Sequence, residues 1–304
     1  MTGSLAARLW IYQAERFPLK KTVPLLAVFS AASITASAVL ADRPLPGLGG
    51  YLIGFGLALI LFFQMRVCDE VKDLDDDRRF RPERPIPRGL VSLRLIASLG
   101  LVTVPIALAL ALSWGAGLVW LLLLVWIWLA AMTVEFGGPA WLKARPVLYL
   151  LSHMAIMPLI DLLLTGIEWR PAGSPHPGLW WFIGLSFANG CVLELGRKLW
   201  APVNERDGVE TYSRLWGPRR AAMVWLGFVG LAFGLLVGFG AAVGYPRILA
   251  VVGFTGLVAC FWAGLRYRRN QTTADEQRGD MIAGVWVFMC YAAAGFLPLL
   301  LDAV

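Results

Sequence analysis

Charged residues are scarce in this chain of 304 residues, where Asp, Glu, Lys and Arg together make up 15%. A soluble globular domain carries roughly 25% charged residues and about half apolar ones. Hydrophobic residues make up 58% here. The composition therefore excludes an ordinary soluble domain and indicates a protein that lies in a lipid bilayer.

Histidine and cysteine are also scarce. Two histidines are too few for a histidine-rich metal centre, and none of the four cysteines belongs to a CxxC pair. Zinc sites and disulfide frameworks normally show paired or regularly spaced cysteines. We interpret the four as small apolar packing residues; they are Cys68, Cys191, Cys260 and Cys290.

Long hydrophobic runs, in contrast, occupy most of the chain. A helix needs about 20 mostly apolar residues to cross the hydrocarbon core of a membrane. Nine windows of that kind predict an all-α integral membrane protein, a bundle of nine transmembrane helices in a single domain over residues 1–304. The windows are 22–41, 47–67, 95–113, 117–134, 147–167, 178–195, 220–243, 246–265 and 281–301.

The first 21 residues precede these windows and contain an amphipathic stretch with Leu9, Trp10, Tyr12 and Phe17. A cleavable signal peptide has a charged start, a short apolar region and a small-residue cleavage site. The stretch is more typical of an interfacial helix that leads into a permanent anchor. We therefore expect residues 1–21 to lie on the cytoplasmic surface.

Basic residues are distributed very unevenly between the two sides of the predicted bundle. All but three of the 27 Lys and Arg residues lie on the side of the N-terminus, and the exceptions are Arg43, Arg170 and Arg247. Because Lys and Arg are retained in cytoplasmic loops, we expect the N-terminus inside and the C-terminus outside, as in a bacterial inner-membrane protein. This topology also explains the pI of about 9.5, so no nucleic-acid partner is expected.

Acidic residues concentrate directly after the second window. Seven of the 20 acidic residues fall within residues 69–83, and if the helix continues, Asp69, Asp73 and Asp77 recur every four residues on one face, beside Glu70. Like charges at this spacing repel one another and need partners. Hard oxygen ligands without His or Cys favour Mg²⁺.

Basic residues alternate with these carboxylates. Because guanidinium groups match phosphate oxygens in pairs, the segment predicts a site for Mg²⁺ and a diphosphate in the cytoplasmic loop 69–94. The alternative is a solvated loop of mixed charge, whose surface ion pairs contribute little. The basic residues that we expect to bind phosphate here are Arg66, Lys72, Arg84 and Arg88.

The run DEVKDLDDD at residues 69–77, followed by RPERPIPRG at residues 81–89, resembles the first signature of the UbiA superfamily of membrane prenyltransferases, which includes 4-hydroxybenzoate polyprenyltransferase. The superfamily pattern is NDxxDxxxD followed by PxRPxPxG. Asp69 stands here in place of its Asn and Glu70 in place of its first Asp. The resemblance implies nine helices and Mg²⁺ that joins these carboxylates to a prenyl diphosphate.

The second superfamily signature is only partly present in the loop 196–219, the other predicted active-site loop. Gly208, Thr211 and Gly217 fit it, but its paired aspartates are missing. Either Glu194 holds a second metal together with Asn204 or Asp207, or Arg197 and Lys198 contact the diphosphate in its place. A degenerate, inactive second half is the third alternative.

Three further polar residues are candidates. Asp161 lies deep in the fifth window, where an acid is expensive and often functional, so it is a candidate to bind an acceptor, act as a base or stabilise a carbocation. A plain hydrogen bond to a neighbouring helix is the alternative. Lys143 and Arg145 are placed to meet a diphosphate from the side, or else only anchor the loop in the cytoplasm.

The resemblance implies an enzyme that uses Mg²⁺ to ionise a prenyl diphosphate and then transfers the prenyl group to a lipophilic acceptor, including an aromatic one. Two alternatives stay open at this stage. A terpene cyclase of the same superfamily would capture the cation within the prenyl chain itself. A non-catalytic protein would bind or transport a prenyl lipid.

Overall fold

The computed structural model describes residues 3–302, and no β-strand occurs among them. The helices of the first half run from the N-terminal segment to the fifth membrane span. They are α1 (Leu5–Arg16), α2 (Leu19–Leu40), α3 (Leu48–Lys72), α4 (Leu74–Phe80), α5 (Leu93–Trp114), α6 (Ala116–Thr133), α7 (Pro139–Lys143), α8 (Pro146–Met154) and α9 (Ile156–Ala172).

The helices of the second half complete the bundle. They are α10 (Leu179–Gly196), α11 (Tyr212–Trp216), α12 (Pro218–Ala242), α13 (Pro246–Asn270) and α14 (Thr273–Asp302). Two short 3₁₀ turns, Glu135–Gly137 and Pro202–Asn204, precede α7 and α11. Residues 1, 2, 303 and 304 of the predicted domain lie outside the described residues.

Within residues 3–302, nine helical segments are long and apolar enough to cross a membrane, in agreement with the nine predicted windows. The fifth span consists of α8 and α9, which meet at Ala155. Pro158 lies in the first turn of α9 and has no N–H to donate to the carbonyl of Met154, so the proline explains the break.

The nine spans pack closely where small residues meet. Between α2 and α14, a Cβ added to Gly295 would lie 2.5 Å from the Cα of Ala32, so the two backbones are nearly in contact. Small residues commonly allow this approach in membrane helices.

Helix α1 lies across the end of the bundle that carries the two predicted active-site loops. Tyr12 on its inner side is buried together with Val67 and Leu90, whereas Trp10 on the opposite side is 62% exposed. The amphipathic helix predicted for the N-terminal segment is thus present. It packs partly on the loop after α4 instead of lying only at a lipid surface.

The predicted register of the acidic stretch is only partly correct. Asp69 lies in the last turns of α3, but that helix ends at Lys72, and Asp77 belongs to the separate helix α4. The side chain of Asp77 turns inward and is 2% exposed. It accepts two hydrogen bonds from Arg84 Nη1, at 2.8 and 2.6 Å, and Arg81 Nε lies 3.1 Å away.

The segment RPERPIPRG forms a compact turn on this buried ion pair. The N–H of Leu90 donates to the carbonyl of Pro85, and Gly89 has a φ of 76°. Glycine adopts this left-handed conformation without the steric penalty of other residues. Asp77 and Gly89 together therefore fix the course of the loop that lies beside the site.

The close approach of α2 and α14 predicts that Gly295→Ala destabilises the bundle. The added methyl group has to displace backbone atoms of Ala32, and overpacking of this kind costs about 1–3 kcal/mol. A thermal unfolding scan in detergent should show a lower apparent Tm. Gly227→Ala, where a Cβ meets no atom within 4 Å, is the control, and equal melting temperatures for the two variants would contradict the packing argument.

The buried ion pair predicts that Asp77→Asn loosens the loop after α4. Arg84 keeps at most one of its two acceptors, and a buried donor left without a partner costs about 1–3 kcal/mol. Limited proteolysis with trypsin should then cut faster after Arg78, Arg79 and Arg88.

The matched control is Asp75→Asn, because the side chain of Asp75 is 95% exposed and lies 3.5 Å from Arg78. An exposed ion pair contributes at most about 1 kcal/mol. If both variants were cleaved at the same rate as the parent protein, Asp77 would not hold the loop.

Candidate active site

A cavity of about 1200 Å³ opens at the end of the bundle where α3, α8 and α10 meet the two predicted active-site loops. Its wall contains both charged and apolar side chains. The deeper part is apolar and is lined by Leu26, Phe62, Leu129, Met154 and Met157.

Carboxylates of the first signature line one side of this cavity. Asp69 and Asp73 belong to this wall, and so does Asp76. The carboxylate of Asp69 lies 3.4 Å from Arg66 Nη1 and its side chain is 48% exposed. In the described part of the chain, Asp73 and Asp76 make no ion pair, so their oxygens are free to bind a cation.

These carboxylates fit Mg²⁺ by the chemistry of their oxygens. Mg²⁺ usually takes one or two protein carboxylates, keeps several waters and completes its shell with substrate phosphates. Among residues 3–302, no three His, Cys, Asp or Glu side chains lie close enough to form a metal site by themselves. This half of the cavity is thus suited to a metal that is shared with a phosphate ligand.

Three other residues predicted around the first signature lie away from the cavity. Glu70 is 3% exposed and its carboxylate lies 2.5 Å from Nε of Arg16. Arg88 pairs with Glu15 at 2.7 Å, and Asp77 is held by Arg84 as described above. We expected Glu70 and Asp77 to bind metal and Arg88 to bind phosphate. The structure instead pairs each of them with another side chain, and these pairs stabilise the loops around the site.

The second half of the cavity is lined by Glu194, Arg197 and Lys198 at the end of α10. Both oxygens of Glu194 are engaged, because Arg197 Nη2 lies 2.5 Å from Oε2 and Lys198 Nζ lies 2.9 Å from Oε1. The Glu194 carboxylate raises the pKa of Arg197 above its ordinary value. Glu194 therefore positions two cations in the wall.

Asn204 and Asp207 do not line the cavity. The Asn204 side chain donates to Glu276 Oε2 at 2.7 Å and to Thr273 at 3.2 Å, and the exposed Asp207 accepts from Arg214 at 2.9 Å. Their expected role as ligands of a second metal is not supported by this placement. The donor set of the second half does not fit a Mg²⁺ ion.

The two active-site loops meet at Gly208. A Cβ at this position would lie 2.1 Å from the ring of Phe80, and the φ of Gly208 is 72°. Only glycine satisfies both conditions without strain. This explains in physical terms why Gly208 belongs to the motif: it places the loop after α10 against α4.

Basic side chains surround the cavity mouth on several sides. Among the predicted phosphate ligands, Arg145 is absent from the wall, because it stacks on Trp141 with Cζ 4.3 Å from the ring centroid and donates to the carbonyl of Trp141. The wall contains three arginines that the sequence argument did not assign to the site, Arg16, Arg81 and Arg214. The predicted cations that do line it are Arg66, Lys72, Arg84, Lys143, Arg197 and Lys198.

Asp161 is fully buried and does not line the cavity. Ser33 Oγ and the hydroxyl of Tyr291 each donate to its carboxylate at 2.6 Å. These bonds join α9 to α2 and α14. The structure therefore gives Asp161 the alternative role, a hydrogen-bonded link between helices.

Sequence reasoning missed several polar residues in the wall: Glu135, Tyr149, His153 and Tyr212. Glu135 follows the apolar helix α6 as a single acid, and nothing in its neighbourhood forms a recognisable motif. Tyr149 accepts a hydrogen bond from Lys72 at 2.9 Å. Burial raises the pKa of Tyr212 well above its ordinary value, so that phenol stays neutral beside the cations.

Comparisons with known proteins agree with this fold. An apo UbiA homologue from Aeropyrum pernix K1 has a TM-score of 0.69 at 16% identity, with 91% of this chain and 98% of that chain covered. A structure of digeranylgeranylglyceryl phosphate synthase has a TM-score of 0.60 at 14% identity, with 95% and 99% covered. A search of curated protein sequences found no match.

The sequence profile of the UbiA prenyltransferase family matches residues 27–289, which is most of the chain. That region includes the first signature, the loop after α10, seven whole spans and parts of the first and the last span, α2 and α14. It confirms the family expected from residues 69–89. This protein is an integral membrane protein and belongs to the UbiA prenyltransferase family.

Proposed function

We propose that this protein is a Mg²⁺-dependent prenyltransferase whose active site is the large cavity. One observation carries the proposal: the carboxylates of Asp73 and Asp76, which make no ion pair in the described chain, line the same cavity as Lys72, Arg197 and Lys198. A diphosphate has the charge to join these two groups through a metal ion. The distribution of Lys and Arg supports a cytoplasmic position for the active-site loops and the N-terminus.

Mg²⁺ would be held by Asp69 and Asp73, with Asp76 adjacent, and would neutralise charge on the diphosphate. The cationic side chains bind the remaining phosphate oxygens and hold the leaving group as its bond to the allylic carbon breaks. Fixed groups that stabilise developing charge in a site shielded from water usually contribute more to such catalysis than any other single effect.

The second half of the cavity neutralises charge on the diphosphate without a second metal. Because Glu194 keeps Arg197 and Lys198 in the wall, these two side chains contact the diphosphate directly. Of the three alternatives for the second signature, the placement of the residues favours this one.

The apolar depth of the cavity is the place for the prenyl chain. Phe62, Leu129 and Met157 are apolar and exclude water from the carbocation. A lipophilic acceptor is expected to reach the cation from the same side. Asp161, which the sequence offers as a group to stabilise a carbocation, does not line this cavity.

The variant Asp73→Asn tests the metal site, and we expect it to lose turnover. The substitution keeps the size of the side chain but removes one of the free carboxylates, and loss of one group that stabilises developing charge costs roughly 100-fold or more in rate. The measurement is diphosphate release from a panel of prenyl diphosphates with Mg²⁺, with and without lipophilic acceptors.

Asp75→Asn is the matched control, since Asp75 belongs to the same acidic run but does not line the cavity. It should retain the parent rate. Full activity in Asp73→Asn would contradict the metal role, and a cyclised hydrocarbon formed without acceptor would contradict transfer. Binding of the diphosphate that does not depend on Mg²⁺, combined with no turnover, would contradict the enzyme itself.

A further inference from the structure

A second, smaller cavity lies beside helix α1, at the end of the bundle that carries the active-site loops. Its volume is about 370 Å³, within the range of cavities that bind small molecules. Three parts of the chain form its wall: α1, the segment from α4 through the loop after it, and the first turn of α5. None of the residues in this wall belongs to the large cavity.

The charge of Arg8, on the α1 side of this wall, is not balanced by any described residue. Arg8 makes no ion pair or side-chain hydrogen bond among residues 3–302, and its Nε is buried. It shares the inner face of α1 with Tyr12, one turn later, which is 3% exposed. A half-buried cation is expensive without a counter-charge. Arg16 of the same helix has one in Glu70, whereas Arg8 is left for an anion from outside.

Arg78 of α4 brings a second cation to the same wall. Its ion pair with Asp75 is 3.5 Å long, and the two side chains are 63% and 95% exposed, so the pair contributes little. The N-terminus of α5, at Ser92 and Leu93, also borders the cavity, and the helix dipole favours an anion there. No Asp or Glu of the described chain lines this cavity.

Apolar side chains continue from this cavity into the membrane. Leu95 lines the cavity and belongs to the span α5. Leu99, Val102 and Ile106 follow it four, seven and eleven positions later and so share its face of the helix. They are 36%, 59% and 48% exposed. This stripe suits a ligand that has an anionic end and a long apolar tail.

The cavity lies at the depth where lipid headgroups are found. Leu93 in its wall is the first residue of the third span. On α1, Trp10 and Ile11 are 62% and 42% exposed, as expected for an amphipathic helix in the plane of the membrane surface. Tryptophan is enriched at that interface.

We propose that this cavity binds the headgroup of a phospholipid with net negative charge, from the leaflet on the side of the active-site loops. Arg8 and Arg78 contact the phosphate group, and an acyl chain lies along α5 from Leu95 to Ile106. Basic pockets between membrane helices are a known mode of binding anionic headgroups. A zwitterionic lipid fits less well, because its own cation meets no acid in this wall.

The same two segments border both cavities. In α1, Arg8 lines the small cavity and Arg16 the large one. In the loop after α4, Gly89 lines the small cavity and Arg84 the large one. A lipid bound in the small cavity therefore holds the rim of the large one in place, a role that goes beyond the proposed function.

A lipid titration of the full protein in detergent, followed by native mass spectrometry, tests the site. The probe is dioleoylphosphatidylglycerol, and the control lipid is dioleoylphosphatidylcholine, which has the same acyl chains and a zwitterionic headgroup. We expect the anionic lipid to bind at least about tenfold more tightly. Inorganic phosphate, added as a competitor, should not displace it, because phosphate lacks the apolar tail.

The variants Arg8→Gln and Arg78→Gln each remove a charge-assisted contact to the phosphate. Each should lower the affinity for the anionic lipid at least about tenfold. Because Arg78 is 63% exposed, its substitution leaves the packing of α1 intact and keeps the test valid if Arg8→Gln disturbs that helix. The matched control is Arg94→Gln, since Arg94 is exposed in the first turn of α5 but does not line the cavity. It should bind like the parent protein.

Three results would overturn the site. Equal affinity for the two lipids, or equal losses in Arg94→Gln and Arg8→Gln, would show only a general attraction between basic residues and anionic lipid. Displacement by inorganic phosphate would identify a site for a soluble phosphate compound instead of a lipid. The titration needs neither Mg²⁺ nor a prenyl diphosphate, so its outcome is independent of the proposed prenyltransferase activity.

Discussion

Compensation of buried carboxylates is the constraint on which the rest of this structure depends. An ionised acid inside a membrane bundle is expensive unless a cation or several hydrogen bonds accompany it. Most buried acids here meet that condition. They are Glu70 with Arg16, Asp77 with Arg84, Asp161 with Ser33 and Tyr291, Glu168 with Arg43 and Ser37, Glu194 with Arg197 and Lys198, and Asp275 with Arg266 and Arg278.

Two acids of the cavity wall, Asp73 and Asp76, differ from these acids. They are not buried and make no ion pair among the described residues. We propose that Mg²⁺ and a diphosphate satisfy their charge. This contrast separates residues that hold the bundle together from the residues that we propose to bind substrates.

Sequence alone was sufficient to predict the bundle, and it also predicts the acidic residues that line one side of the cavity. Nine apolar runs predict nine spans because a hydrophobic segment of that length has few stable alternatives, and the spacing of Asp69 and Asp73 survives because both lie near the end of α3. The inward turn of Asp77 could not be predicted, since it depends on the break after Lys72 and on Arg84, seven residues later.

The second half of the site was harder to predict for a related reason. Glu194 looks like a metal ligand in the sequence, and only the three-dimensional contacts with Arg197 and Lys198 show that its oxygens are used. Glu135 and His153 carry no motif at all. Their position in one wall follows from the packing of α8 beside the turn after α6, and burial without partners is visible only in the structure.

Direct observation of the metal tests the central claim most directly. The measurement is a structure of the protein with Mn²⁺ and a non-hydrolysable prenyl thiodiphosphate, in which anomalous scattering locates the metal. The account predicts one Mn²⁺ that bridges Asp69 and Asp73 to the diphosphate, with Arg197 and Lys198 on its far side. A second Mn²⁺ at Glu194, or a metal held by Glu70 and Asp77, would contradict it.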